Sequence, residues 1–478
     1  MPFTRRNLIV GGGAGLSLLV LSACTSPTPA PTKSASATPT VTPTGTPTPT
    51  GVPTPIAMQR SEWSKDPFAR GSHSFMANGS TPDHRAALRT PVLDRVIFAG
   101  EATAVDNVGT VLGARQSGAR AAAAITAISS PGERVAVIGA GIAGAEAARL
   151  LGDFGAEVMV IEARDRVGGR IHTISADNFN GRVELGAWRQ GTKTDKVILD
   201  ELLELHVTTS PLATTELRAS TGTTSATASR NRTGAEALAS ATSWAAKQLT
   251  DSSLEDSLSG SGATKSAASA TQDGIAGDQL LAAELAAVAT IAGADAGAIS
   301  SWYGVPDPAA ATSVVTGGFS ELVTSTLKGT KTFLSTTVVG ITYTSTGVSL
   351  RLGTGESLSV DRVILTVPLG VLQDGSIEFS PLLPFEHRTA IAELGFGAIE
   401  TVWLKFDTHF WGTDASRWQV VGTDDLITNW INLSPLTGEN VLVGLVGGDD
   451  ATAFAALDDD ALVQSAMASL APFVSGAV

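Results

Sequence analysis

The run Gly139-Ala140-Gly141-Ile142-Ala143-Gly144 has the residue types and spacing to hold phosphate. The first glycine permits a tight turn, the second lets a pyrophosphate approach the backbone, and the third lets a helix pack closely on a strand. A helix that starts there turns its positive end toward the phosphates. Glu162 lies 23 residues after Gly139, where a carboxylate closing the next strand can accept hydrogen bonds from ribose hydroxyls. The chemistry is dinucleotide binding, and this motif alone does not separate FAD from NAD.

Elements of the right kind flank these residues. RVAVI at 134–138 reads as a buried strand, a helix runs from Ile142 to Asp153, and EVMVIE at 157–162 is the next strand. VLDRVIF at 92–98 is a further strand, followed by an Ala-rich helix at 110–128. Together they begin a doubly wound nucleotide-binding sheet. Residues 192–300 read as mainly helical, with Ser/Thr/Gly loops at 208–234 and 251–276. Strand-like segments follow within 335–367, 394–406 and 440–446, and 454–473 looks helical.

Composition narrows the possibilities. The chain has 478 residues, 43% of them hydrophobic, enough for two or three domains with real cores. A net charge of -14 disfavours nucleic acid as a partner. The single cysteine, Cys24, excludes a disulfide within the chain and a Cys-rich metal site. His206, His387 and His409 show no convergent metal pattern. At the N-terminus, TRRNLIV carries Arg5 and Arg6, an apolar stretch runs from Leu8 to Ala23, and Leu21-Ser22-Ala23-Cys24 resembles a bacterial lipobox. The expectation is export, with a lipid at Cys24 anchoring the protein to the outer face of the bacterial cytoplasmic membrane. Residues 1–24 would be the signal and 25–55, rich in Ser, Thr and Pro, a tether.

The nucleotide motif continues into Glu162-Ala163-Arg164-Asp165-Arg166-Val167-Gly168-Gly169-Arg170, which resembles the ExxxxxGGR extension of glutathione reductase-like FAD folds. Four blocks, at 135–173 with 183–187, 314–327, 359–411 and 62–122, resemble the flavin-containing amine oxidase family, especially its polyamine oxidase and histone-demethylase-like members. The last of these closes the chain in the family but precedes the dinucleotide fingerprint here, the pattern of a circular permutation. The expected class is α/β: a glutathione reductase-like FAD-binding Rossmann domain with an interleaved α+β substrate domain. The FAD domain would take 91–190 and 314–370, and the substrate domain 56–90, 191–313 and 371–478.

The resemblance implies non-covalent FAD, a small amine or amino-acid substrate, and O2 as electron acceptor. Glu101 would face the flavin ribityl or pyrophosphate region, Gly100 and Thr110 would line the cofactor, and the backbone of Val111 would approach the flavin pyrimidine. Gly186, Ala187 and Arg189 would lie near the isoalloxazine ring, and Val339 near the adenine. Two departures stand out. The family lysine that bridges water to the flavin is Thr401 here, and Lys405 lies too far along the strand to replace it. The positions of the usual aromatic cage carry His73 and Asn107, which could form a polar pocket. Trp188, Trp403 and Trp430 are available as apolar walls or as core. Arg189 admits two alignments: in one it clamps a substrate carboxylate, as in amino-acid oxidases, and in the other it is merely adjacent to the pocket. Three functions follow: an amine oxidase, an L-amino-acid oxidase that uses Arg189, or an FAD-bound surface protein without oxidase turnover.

Overall fold

Short runs of β-branched and apolar residues are buried on both faces only in a parallel sheet sandwiched between other layers. In the computed structural model, which describes residues 51–219 and 227–474, five such runs form one sheet. Its order is Thr332–Phe333, Glu157–Ile161, Arg134–Ile138, Arg362–Leu365, Val96–Phe98, with every pair parallel. Val135 and Val137 point to one side, where the helices Val111–Thr126 and Ile142–Phe154 lie. Ala136 and Ile138 point to the other side, onto a four-stranded sheet that includes Val338–Tyr343 and Val348–Leu352. The two helices touch so closely at Gly118 that a Cβ there would collide with the carbonyl of Ala143. Helix Val111–Thr126 then leads through residues 127–133 straight into strand Arg134–Ile138.

A second, seven-stranded sheet carries the rest of the molecule. Its order is Ala57–Arg60, Ile399–Lys405, Val441–Gly447, Asn429–Asn432, Arg417–Val421, Thr215–Ala219, Thr227–Ala228. One face packs on helices Asp449–Ala456 and Asp459–Leu470 through Val402, Leu404, Phe454 and Leu462. The other turns Trp403, Val443 and Leu445 toward Trp188 and Val314, at the junction with the nucleotide-binding sheet. The long helix Gly277–Ala292 also packs against this sheet. At the far edge of the same region Gly51 lies beside Val474, and Trp411 forms a β-bridge with Val474.

The α/β class and the interleaved substrate region match the expectation, with differences in detail. The loop expected at 208–234 contains strands Thr209–Pro211 and Thr215–Ala219, and the latter pairs in parallel with Arg417–Val421. The loop expected at 251–276 contains helices Leu254–Gly260 and Ala263–Ala268. The strand expected at 92–98 is cut to Val96–Phe98, because Leu93 and Asp94 take left-handed φ values of 50° and 54°. The single helix expected at 454–473 is two, the second opened by Asp458, whose side chain accepts from the Ala461 N–H.

Candidate active site

The phosphate-binding turn is built by backbone geometry. Gly139 has φ of 107°, which a side chain would strain. Gly141 has an ordinary φ of -77°, and a Cβ built there would have no protein atom nearer than 3.8 Å. That space is a cradle which any side chain would fill. Helix Ile142–Phe154 starts at Gly141 without a side-chain cap. Opposite the turn, Glu162 accepts from the Ala140 N–H at 2.7 Å and the Arg164 N–H at 2.9 Å, which leaves lone pairs free on both oxygens.

This turn opens into one continuous cavity of about 1470 Å³, larger than a single small ligand requires. Gly139, Gly141, Glu162, Arg164, Gly168, Gly169 and Arg170 line one end. Gly100, Glu101, Thr110, Val111, Gly186 and Ala187 line the same cavity. Thr110 caps helix Val111–Thr126, accepting from the Gly113 N–H at 3.0 Å. Gly144 does not line the cavity. Its lack of a side chain lets the helix meet the turn, since a Cβ would strike the Gly139 carbonyl. Val339 does not line it either. Thr336, Thr337 and Val338 do, because alternate strand residues face opposite ways and the register is irregular between Val338 and Gly340.

The charged residues at this end tie chain segments together. Arg164 bonds Asp66 at 2.6 Å, and Arg170 bonds Glu101 at 2.9 Å and the Ser72 carbonyl at 2.9 Å. They fasten the segment 66–74 to the stretch 164–170 that follows Glu162. Glu101 is buried and also accepts from the Ser74 N–H and hydroxyl. Burial pushes its carboxyl up, but Arg170, His73, Arg85 and the Ser74 hydroxyl outweigh this and hold it below the usual carboxylate range.

At the other end the cavity is walled by Trp188, Trp430, Ile399, Thr401 and Leu445. Trp403 is core: it packs 5.0 Å from Trp188, ring to ring, and does not reach the cavity. Thr401 lines it, with its N–H donated to the Ser61 hydroxyl at 2.8 Å. Lys405 is paired with Glu439 at 2.7 Å, away from the cavity. His73 lines the cavity, yet its two ring nitrogens face the carbonyls of Ser74 at 3.0 Å and Ile291 at 2.8 Å, so neither is free for a substrate. Asn107 lies outside the cavity. It sits in a left-handed turn with φ of 54°, and its amide reaches Gln116 instead. His73 and Asn107 therefore do not form a shared polar pocket.

Two charged groups at this end gave no motif in the sequence. Glu284 lies on helix Gly277–Ala292 and is 5% exposed, and among the described residues its carboxylate has no hydrogen bond or ion pair. Burial and the neighbouring Asp307 push it up to about 7. The only signal was a lone carboxylate in the apolar run LLAAELAAVATIA. Arg417 lines the cavity from strand Arg417–Val421, which sequence periodicity missed.

Because folding raises the Glu284 pKa from 4.5 to about 7, its protonated form is the one the fold favours. The associated stability is fully present below pH 4.5 and is lost as pH rises through about 7. Glu284→Gln should therefore stabilise the protein above pH 7 by up to about 3 kcal/mol, with a gain near zero around pH 4.5. Urea titrations at both ends of that range check it. An equal effect at both pH values would exclude a titrating Glu284.

The fold and cavity define a dinucleotide-binding flavoprotein oxidoreductase with an interleaved substrate region. The donors fit FAD: a side-chain-free cradle, a helix start, a ribose-facing carboxylate and a cavity that continues past the dinucleotide end. The family model for flavin containing amine oxidoreductase matches residues 44–126 and 142–476, and that for pyridine nucleotide-disulphide oxidoreductase matches 92–183. The chain belongs to the flavin containing amine oxidoreductase family. It is an FAD-dependent oxidoreductase of the amine-oxidase type, with FAD bound non-covalently.

Polyamine oxidase 4 of Oryza sativa subsp. japonica is 30% identical over 354 residues, 70% of this chain and 72% of that protein. Lysine-specific histone demethylase 2 of Homo sapiens is 28% identical over 380 residues, 70% of this chain but 43% of that protein. The Arabidopsis thaliana lysine-specific histone demethylase 1 homolog 1 is 36% identical over 148 residues, 30% of this chain and 17% of that protein. Putrescine oxidase bound to putrescine shares the fold, with a TM-score of 0.54, 20% identity and coverage of 73% of this chain and 83% of that one.

These relatives correct the expected location. Plant and human histone demethylases and plant polyamine oxidases argue against export to a bacterial membrane. Among the described residues no helix is long and apolar enough to cross a membrane. It is the relatives that overturn the expected anchoring at the outer face of the bacterial cytoplasmic membrane. Arg5, Arg6 and Cys24 lie outside the described residues.

Proposed function

We propose that the protein oxidises a small amine at the end of the cavity walled by Trp188, Thr401 and Trp430, with O2 as electron acceptor. The observation that carries this reading is the continuity of one cavity from the phosphate cradle to that wall. Bound FAD supplies the acceptor for a hydride equivalent from the carbon beside an unprotonated amine. The chain's own residues orient and exclude water. Glu162 would hold the ribose hydroxyls and the turn at Gly139 to Gly141 the pyrophosphate, and the start of helix Val111–Thr126, whose Thr110 and Val111 line the cavity, would supply a positive helix end to stabilise charge on the flavin. Trp188 and Trp430 keep the reacting carbon dry, and the Thr401 hydroxyl can hold a water.

The test is an amine panel on the FAD-loaded protein, read first without oxygen as loss of flavin absorbance and then as peroxide on admitting air. Loss of absorbance followed by peroxide is expected. No loss with any amine, although FAD is bound, would overturn the proposal. Loss without peroxide would replace O2 by another acceptor.

A second reading rests on Arg189. It lines the cavity and has no carboxylate partner among the described residues, which favours a substrate carboxylate there. Arg189→Ala should then raise KM for amino acids at least tenfold more than for simple amines. Equal changes for both would end this reading.

The chain order is that of a circular permutation of the family fold. Supporting it, the family model matches in two pieces, and strand Val96–Phe98 takes a sheet edge beside Arg362–Leu365. The proximity of Gly51 to Val474 also fits. A gene opened within 127–133 and closed between those two ends should yield a folded protein that binds FAD. Failure to fold, with the original chain folding in parallel, would count against it.

A further inference from the structure

Two unpaired sets of charge line the substrate end of the cavity. Arg189 donates to the Thr290 carbonyl at 2.5 Å and Arg417 to the Ala310 carbonyl at 3.3 Å. Neither forms a salt bridge among the described residues. The two repel one another: burial, and then Arg417, bring Arg189 down to about 10. The Arg189 guanidinium, drawn out of bulk water beside a carbonyl and a second, half-buried guanidinium, is costly, and an anion between the two would relieve the cost. Glu284 lies on the helix that carries Thr290, six residues toward its start, or about 9 Å along the axis at ~1.5 Å per residue. Glu284, Ala287 and Ile291 face the cavity at the spacing of one helix face. Among the described residues the Glu284 carboxylate has no donor of its own, and the like-charged Asp307 adds to the effect of burial on it. The cavity therefore suits an anion at one place and, where Glu284 is ionised, a cation on the order of 10 Å away.

We propose that the substrate is a diamino monocarboxylate, with its carboxylate between Arg189 and Arg417 and its second ammonium on Glu284. A single ligand of this class neutralises both sets at once. An extended chain of a few methylenes spans the gap between them, through the apolar stretch at Ala287 and Ile291. Gln419, whose amide bonds Asn429 at 3.2 Å, and Asn429 itself line the same region and add neutral hydrogen-bonding groups beside Arg417. The inference rests on the reading that this cavity oxidises an amine. The chemistry balances as in that reading: the α-carbon hydride and the amine N–H proton leave as FAD is reduced by two electrons and two hydrogens, and the α-amine becomes an imine.

Three probes separate the parts. L-ornithine carries both charged groups, putrescine lacks the carboxylate, and L-norvaline lacks the second amine. The FAD-loaded protein, reduced without oxygen, should show a KM for ornithine at least tenfold below that for either of the others. Arg417→Gln should shrink the ornithine-to-putrescine difference at least fivefold, and Arg417→Lys, which keeps the charge, should shrink it less. Glu284→Gln should shrink the ornithine-to-norvaline difference by a similar factor. The FAD content and thermal midpoint of each variant show that it is folded. Flavin reduction by putrescine with no preference for ornithine would overturn the inference and leave the proposed function standing. Variants that are folded and loaded but do not alter the ratios would also overturn it. Reduction by none of the three probes or any other amine would remove both proposals.

Discussion

Gly141→Val should give a protein that folds normally and binds FAD at least 100-fold more weakly. The reason is the empty space above that residue. Its φ of -77° suits any amino acid, and the nearest protein atom to an added Cβ is 3.8 Å away. The apo protein therefore has little to lose, within about 0.5 kcal/mol. The new methyl groups would stand where the phosphates approach the helix start, and a 100-fold loss corresponds to about 2.7 kcal/mol. FAD titration and denaturant unfolding of the apo protein measure the two halves separately. A variant that keeps full affinity would show that the pyrophosphate lies elsewhere. A variant that unfolds would show that the cradle belongs to the protein's own packing.

The second large effect concerns Glu101. Its carboxylate accepts from Arg170 and from both the N–H and hydroxyl of Ser74, while Arg85 reaches the same hydroxyl at 2.8 Å. Arg85 and Glu101 are 4% exposed. Removing the carboxylate leaves Arg170 and the N–H and hydroxyl of Ser74 without this acceptor, and Arg85 without its neighbouring opposite charge, in a place water reaches poorly. Breaking one side of a buried ion pair costs about 3–5 kcal/mol, so Glu101→Ala should lower unfolding stability by that amount. It should also loosen strand His73–Phe75. Glu101→Gln keeps the shape and two acceptor lone pairs but loses the charge, and should cost less. Denaturant titration of both variants decides, and a loss below about 1 kcal/mol for the alanine variant would mean that water replaces the carboxylate there.

How much of this was legible beforehand depended on whether the signal was local. The turn at Gly139, the helix behind it and Glu162 lie within one short βαβ unit, so spacing alone defined them. Thr401 was placed on its strand by motif, and the structure puts it on the cavity wall. Glu284 and Arg417 carried no such pattern. Glu284 reads as one polar residue in a helix of alanine and leucine, and its meaning comes only from Asp307 and the cavity beside it. Arg417 lies in a strand whose parallel partner, Thr215–Ala219, is some 200 residues away, and Thr-rich sequence there looks like loop. Asn107 failed for a different reason. The motif placed it one turn before the helix, but a left-handed backbone aims its side chain at Gln116. Resemblance carries position well and side-chain direction poorly where φ changes sign.

The edge strand Val96–Phe98 has a consequence for synthesis. It leaves the ribosome early, but its one partner in the sheet, Arg362–Leu365, follows 264 residues after Phe98. At about 5–20 residues per second that is a delay of roughly 13–50 s. For all that time an apolar edge has no pairing partner, the condition under which strands seek one in other chains. The Arg134–Ile138 strand has Glu157–Ile161 beside it almost at once, so the phosphate turn can form first and the walls around it close later. Heterologous production should therefore reward holdase chaperones, which shield that edge while it waits, more than an added supply of riboflavin.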